Sequence, residues 1–212
     1  MIPPKPDIAA RARVSSLSQY REMYDRSLAE PEAFWREQAE LLDWFAPPRS
    51  VFEGSFAEVE FSWYGGGKLN ASYNCVDRHL ATHPDKTALL WVGDEPGDYR
   101  HISYRELHRM VGKITNVLLA EGVRKGDRVC IYLPMIPELP ATMLACARLG
   151  AVHSVVFAGF SAESLRGRIL DAGCKVVVTA NEGLRGGKRI PLKATVDHAV
   201  SGLALVERVL VA

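Results

Sequence analysis

The 212-residue chain has no long apolar run, no paired cysteines and no excess of either charge. No stretch approaches the roughly 20 apolar residues that a membrane span requires. The opening Met1-Ile2-Pro3-Pro4-Lys5-Pro6 has none of the apolar stretch of a secretory signal. With 26 Lys plus Arg against 25 Asp plus Glu, the formal net charge is +1. That balance argues against a general nucleic-acid coat, which would be far more basic. The four cysteines, Cys75, Cys130, Cys146 and Cys174, stand far apart and form no Cys-x-x-Cys pair. Zinc and a disulfide framework are therefore not expected. The cysteines read as small buried or half-buried apolar side chains in a reducing compartment, which makes the chain cytoplasmic in expectation. Internal repeats and low-complexity tracts are absent as well. What remains is ordinary globular material, 48% hydrophobic and 24% charged, with ample apolar surface to offset the entropy of ordering.

Catalytic motifs are equally scarce. Gly65-Gly66-Gly67-Lys68 looks at first like a phosphate loop, but Ser62 stands where the first glycine of a Walker loop belongs and Leu69 follows the lysine. A glycine turn is the reading this supports. His79 and His83 share a helical spacing, yet the intervening residues include no Glu to act as base and Pro84 follows at once, so a zinc site is not expected. His101, His108, His153 and His198 each stand alone, and a lone histidine is more often structural than catalytic. His153 falls inside a strand pattern, where a buried, hydrogen-bonded ring is expected. No nucleophile–base pair and no metal-binding carboxylate pair is visible. No Gly-x-Gly-x-x-Gly follows a strand pattern, which disfavours a nicotinamide-dependent dehydrogenase.

The periodicities divide the chain. Residues 1 to about 17 show no pattern and read as a loose arm. Leu17, Tyr20, Met23, Tyr24 and Leu28 recur at helical spacing as one apolar stripe. Pro31 suits the first turn of a second helix, which carries Phe34, Trp35, Leu41, Leu42 and Phe45 to a stop at Pro47-Pro48. Residues 49–69 read as an irregular connector, with one short strand within 56–63. Asn70 is placed to cap a helix running through His83.

From there an α/β rhythm sets in. Residues 88–92 and 99–102 read as a hairpin across the turn at 93–97, and Ser103-Tyr104-Arg105-Glu106 is a capping box. The helix that follows carries Leu107, Val111, Ile114 and Leu118 inward. Strands are expected at 127–133, 152–157, 175–179 and 205–211, with helices at 137–149, 162–171 and, more briefly, 196–200. Near-continuous apolar strands separated by amphipathic helices predict a parallel sheet covered on both faces. The final segment reads as a central strand ending at Ala212, and a domain seldom ends on a bare apolar strand, so the chain is expected to be cut short.

In open parallel sheets, ligands bind beyond the carboxyl ends of the strands. Two loops qualify. Phe157-Ala158-Gly159-Phe160-Ser161 opens a helix, and its glycine permits close backbone approach. Residues 181–189 bring Arg185, Lys188 and Arg189 around Gly186-Gly187. If the two preceding strands are neighbours, both loops share a rim suited to a phosphorylated nucleotide. A solvated turn with ordinary surface charge explains the same residues, and on the residues alone that is the more frequent case.

Longer strings add a resemblance. Trp63-Tyr64-Gly65-Gly66-Gly67-Lys68-Leu69-Asn70, Tyr73-Asn74-Cys75-Val76-Asp77-Arg78-His79, Tyr132-Leu133-Pro134-Met135-Ile136-Pro137-Glu138, residues 145–157 and residues 182–193 together resemble the AMP-forming acetyl-CoA synthetase family of the adenylate-forming superfamily. The resemblance runs from about Tyr20 to the end and is densest over 61–193. It implies joining of acetate to ATP, with Mg²⁺ on the phosphates, to give acetyl-adenylate and pyrophosphate. CoA thiol then attacks and AMP leaves.

Carried over by position, Arg185 and Lys188 match basic residues that hold the CoA nucleotide phosphate in that family. Gly186 and Gly187 lie between them, and Gly159 matches a glycine packed near the CoA nucleotide. Family members often carry Arg where Lys188 stands, so a bidentate fork is lost there. The family's Ser/Thr/Gly-rich phosphate loop, aromatic-Thr-Glu adenylate motif, ribose-binding Asp, acetate pocket and catalytic lysine have no counterpart in residues 1–212.

The implied fold is an N-terminal helical segment followed by an incomplete parallel-sheet α/β subdomain, with 1–69 as arm, helices and connector and 70–212 as the first part of a large AMP-binding domain. The implied partners are acetate, ATP and CoA, with no nucleic acid and no membrane. The ATP and Mg²⁺ sites are expected outside these residues, no catalytic or metal-binding residue within them, and the chain alone inactive and poorly soluble. A propionyl-CoA, acetoacetyl-CoA or other short-chain synthetase, or a non-catalytic CoA-binding product, stays open beside this reading.

Overall fold

A computed structural model describes residues 4–212, so the first three residues of the expected arm lie outside the described residues. The chain divides into two compact units, Met1–Leu69 and Asn70–Ala212.

In the first unit the arm is not wholly irregular. Pro6 opens a single helical turn, α1 (Pro6–Ala9). The Ser16 hydroxyl then accepts the Gln19 amide and starts α2 (Leu17–Ala29). Helix α3 (Pro31–Ala39) opens on proline as its sequence suggests, but it ends well before Pro47-Pro48. The next residues form turns, and the Trp44 indole donates back to the Ala39 carbonyl at 2.9 Å, which occupies an acceptor that a continuing helix would use. The expected single strand is a hairpin, β1 (Phe52–Ser55) paired antiparallel with β2 (Glu60–Trp63). Gly65-Gly66-Gly67 is a turn, closed by the Gly67 amide on the Tyr64 carbonyl at 2.9 Å.

The second unit begins with α4 (Ala71–Cys75), capped by the Asn70 side chain on the Tyr73 amide at 3.2 Å. It stops short of the expected end at His83. Val76 leaves helical geometry and is fully buried, and a short 3₁₀ turn follows at Asp77–His79. There the Asp77 carboxylate meets Arg148 and lies 3.5 Å from the His108 ring. Strands β3 (Thr87–Val92) and β4 (Tyr99–Ser103) form the expected hairpin. The full capping box at Ser103 and Glu106 starts α5 (Tyr104–Ala120), which buries Leu107, Val111 and Leu118.

The remaining elements are β5 (Arg128–Tyr132), α6 (Glu138–Leu149), β6 (Val152–Val155), α7 (Ala162–Ala172), β7 (Val176–Thr179), β8 (Gly183–Arg185), β9 (Lys188–Ile190), α8 (Leu192–Val200) and β10 (Arg208–Val211). The main sheet has the order β10-β7-β5-β6, with every pair parallel. This is a mixed α/β fold with a parallel sheet. Val129, Cys130, Ile131 and Tyr132 of β5 are all buried, and so are Val176, Val177, Val178 and Thr179 of β7, as strands covered on both faces require. Among the described residues β10 pairs with β7 alone.

Strand order also fixes where the helices lie. The step from β5 through α6 to β6 runs one way across the sheet. The steps from β6 through α7 to β7, and from β7 through α8 to β10, run the other way. With right-handed crossovers, α6 covers one face and α7 with α8 the opposite face. The loops leaving β5, β6 and β7 therefore diverge around the end of β5, which is where a crevice opens in such sheets.

Candidate functional site: a basic rim at the carboxyl ends of the strands

The crevice is present as a cavity of about 520 Å³ in the second unit. Its floor is apolar, from Leu133, Pro134, Leu139 and Leu192, and its rim carries Gly159, Arg185 and Asp94. The sequence reading made a shared rim conditional on neighbouring strands. That condition fails, because β5 lies between β6 and β7. The loops still meet, because all strands of a parallel sheet end on the same side and β5 contributes its own loop between the other two.

Residues 181–189 are not a flexible loop. They contain the two-stranded hairpin β8–β9, with Leu184 opposite Arg189 and Arg185 opposite Lys188. Its turn is Gly186-Gly187, with φ of +54° and +72°. Positive φ at both central residues marks a type I′ turn, whose twist matches the strands and which glycine adopts without strain. A Gly-Gly pair between short segments is a hairpin signal that the sequence reading passed over. Gly183 sits buried against Pro134, to which an added Cβ would come within 3.2 Å, so the base of the hairpin packs closely on the β5 loop.

The hairpin sorts its three cations. Arg189 is engaged by Glu182. Arg185 lies over the Phe157 ring, with its Cζ 5.4 Å from the centroid. Among the described residues, no carboxylate is recorded within salt-bridge distance of Arg185 or Lys188. These two therefore offer the positive charge left for an incoming anion. Four of the residues named from sequence, Arg185, Gly186, Gly187 and Lys188, thus share one hairpin. The fifth, Gly159, lies across the cavity in the β6–α7 loop.

Gly159 has a local reason to be glycine. A Cβ there would meet the Phe157 ring at 2.5 Å, so its absence lets the ring lie where Arg185 covers it. The loop is held at its far end by Tyr132, whose hydroxyl donates to the Phe160 carbonyl at 2.8 Å. Burial pushes the Tyr132 phenol above its usual value, opposed by a hydrogen bond with Thr195, so the proton stays on the donor. Ser161 caps α7 through the Ser164 amide at 3.2 Å.

Several functional neighbours escaped the sequence. Phe157 belongs to the 157–161 loop named from sequence, but its place beneath Arg185 carries no sequence signal. Asp94 was read only as a turn residue, yet its Oδ2 accepts the Gly186 amide at 2.8 Å, and no local signal reports a contact across 92 positions. The lone histidines stay away from the cavity wall. Among them His153, expected to be hydrogen-bonded, has a buried Nδ1 with no hydrogen-bond partner. Among the cysteines, Cys130, Cys146 and Cys174 are buried, and burial pushes the Cys130 and Cys146 thiols to about 12, so neither is a nucleophile near neutrality. Cys75 departs from the expectation and is exposed. No helix among the described residues is long and apolar enough to cross a membrane.

Comparison with known proteins gives this geometry a setting. Residues 76–210 match the family described as AMP-binding enzyme, and residues 20–75 match the family described as acetyl-coenzyme A synthetase N-terminus. An acetyl-coenzyme A synthetase of Halorhodospira halophila is 53% identical over 209 residues, covering 98% of this chain and 32% of that protein. One from Syntrophus aciditrophicus is 54% identical over the same length, again covering 98% of this chain and 32% of the relative. Among solved structures, an acetoacetyl-CoA synthetase from Streptomyces lividans superposes with a TM-score of 0.84 at 28% identity, covering 97% of this chain and 34% of that one. The chain spans about a third of the length of the curated relatives it matches.

Proposed function

The chain belongs to the AMP-binding enzyme family, and from that membership we propose that it supplies the CoA-phosphate rim of an AMP-forming acetate–CoA ligase. In that reaction acetate attacks ATP to give acetyl-adenylate and pyrophosphate. The CoA thiol then attacks the mixed anhydride, and AMP leaves as a far better leaving group than hydroxide. Within these residues the contribution is binding: Arg185 offers a planar fork and Lys188 a point charge to the CoA nucleotide phosphate. Gly186 and Gly187 let the backbone turn between them, and Gly159 leaves room beside the nucleotide. ATP and Mg²⁺ are proposed to be held by residues outside this chain. Residues 1–69 are assigned as a helical entry segment and 70–212 as the first part of the large α/β domain. A cytoplasmic location is proposed from the reduced, widely spaced cysteines.

The single observation that carries the reading is the hairpin β8–β9 itself, which leaves Arg185 and Lys188 without a carboxylate while Glu182 occupies Arg189. Acetate is proposed as the acyl substrate because the matched curated relatives are named acetyl-coenzyme A synthetases.

Titration calorimetry tests it. CoA added to the chain is expected to give saturable heat, and Arg185→Ala is expected to weaken binding at least about tenfold, the scale of a lost charge-assisted hydrogen bond. Binding that is absent, or unchanged in Arg185→Ala, would sink the assignment. The same preparation given acetate, ATP and Mg²⁺ is expected to release no pyrophosphate above blank, and steady turnover would overturn the placement of catalysis elsewhere.

A further inference from the structure

The tip of the basic hairpin has little to hold it. An added Cβ at Gly186 or Gly187 would meet nothing within 4 Å, so packing does not fix the turn. Strands of three residues paired only with each other are marginal on their own. Glycine turns also carry more conformational freedom than any other. A site whose two cations flank such a turn must order it before an anion can be gripped by both, and that ordering subtracts from affinity.

One contact from outside the hairpin reaches the turn among the described residues. The Gly186 N–H donates to Asp94 Oδ2 at 2.8 Å. Asp94 is itself braced. Its turn is closed by the Gly93 amide on the Asp98 carbonyl at 2.7 Å and the Asp98 amide on the Glu95 carbonyl at 3.0 Å. Strand β3, which leads into it, is fastened to the β5 loop by the Trp91 indole on the Met135 carbonyl at 2.6 Å. Both Asp94 and Arg185 line the cavity. A carboxylate beside an anion site is electrostatically unfavourable, so its presence there calls for a compensating role.

We propose that Asp94 is a positioning residue: by holding the Gly186 amide it pre-orders the turn that presents Arg185 and Lys188 to the ligand phosphate. This deepens the proposed CoA site and rests on it. The carboxylate's acceptor oxygen does the work and its charge works against it, so the two parts separate by substitution. Asp94→Asn keeps an acceptor and removes the charge. Asp94→Ala removes both.

The test compares CoA with dephospho-CoA, which lacks the ribose phosphate, on the 212-residue chain and its Asp94→Ala, Asp94→Asn and Arg185→Ala variants. Asp94→Ala is expected to weaken CoA about fivefold while dephospho-CoA changes less than about twofold, since only the phosphate uses the ordered turn. Asp94→Asn is expected to bind CoA as tightly as the parent or somewhat more tightly. Exchange of the Gly186 amide is expected to quicken about tenfold in Asp94→Ala with an unchanged melting temperature.

If Arg185→Ala abolishes binding but Asp94→Ala binds like the parent, Asp94 has no positioning role and the site reading stands. If Ala and Asn both tighten CoA, Asp94 is only a repulsive charge. If both variants lose CoA and dephospho-CoA equally, the loss comes through the fold. Each of these outcomes overturns the proposal. If the parent gives no CoA binding, or Arg185→Ala matches it, the site reading fails and the proposal falls with it.

Discussion

The two units carry the same kind of amphipathic pattern and use it differently. Among the described residues of the first unit, the buried hydrophobic side chains are Phe34, Ala39 and Val51. The helical stripe of α2 faces solvent, with Leu17, Tyr20, Tyr24 and Leu28 each more than half exposed. In the second unit one continuous core runs from Val76 to Ala199 through the central strands β5 and β7, with β10 packed against it. Period alone therefore says which residues share a face and leaves open whether that face is covered. The helices of the first unit start on local devices, the Ser16 cap of α2 and the proline that opens α3. The second unit rests on burial, which scales with apolar area.

The widest test of that contrast is a pair of truncations. Ile131, fully buried in the middle of β5, is expected to cost about 2–5 kcal/mol as Ile131→Ala and to abolish the cooperative melt or lower its midpoint steeply. Leu28 is 65% exposed, and Leu28→Ala is expected to stay within about 0.5 kcal/mol. Circular-dichroism melts read both. Comparable losses at the two positions would mean that the α2 stripe is buried in solution, and the contrast would fail.

What was legible from sequence follows the same division. The capping box at Ser103, the inward face of α5 and the largely apolar strands β5 and β7 were readable because local signal and burial agree there. The early ends of α3 and α4 were not. At α3 the Trp44 indole takes the Ala39 carbonyl, a contact that apolar periodicity does not report, and at α4 the turn that follows is met by Arg148 from 71 positions away. The place of β5 between β6 and β7 was also hidden, since strand order is a property of the whole sheet. At the site, the cations and glycines were legible by type and spacing. The turn geometry was available in Gly186-Gly187 and overlooked, whereas the Asp94 contact had no signal in sequence at all.

A contrast within the second unit is expected to give a smaller effect. Its core is close-packed, and its rim contains a ring that can move. Gly159→Ala places a Cβ 2.5 Å from the edge of the Phe157 ring, so the ring must swing out from under Arg185. The loss of an exposed cation–π contact, on the order of 0.5–1 kcal/mol, predicts CoA binding about two- to fivefold weaker. The melting temperature is expected to hold, because Phe157 is 55% exposed and lies outside the core. A large drop in melting temperature would place this loop among the structural elements of the unit instead of its adaptable rim.

The smallest expected effect is electrostatic, and it again sets one unit against the other. Asp127 Oδ2 accepts the Arg124 amide at 2.6 Å and pairs with Lys175 Nζ at 2.8 Å, tying the starts of β5 and β7. The Lys175 hydrogen bond, then the Arg124 amide, holds the Asp127 carboxyl below its usual 3.8. A carboxyl depressed in the folded state contributes stability that is present above its unfolded value and is lost as pH falls through the folded one. Glu37 is likewise depressed by Arg26, but that pair lies at the surface of the first unit, where ion pairs contribute little. Melting temperatures of the parent and Asp127→Asn are therefore expected to differ above about pH 4 and to converge as the pH falls through the lower folded value. Glu37→Gln is expected to track the parent throughout. A gap for Asp127→Asn that widens on acidification would mean that the carboxylate is destabilising in the folded chain, and a larger gap for Glu37→Gln would place the cooperative unit in the wrong half of the molecule.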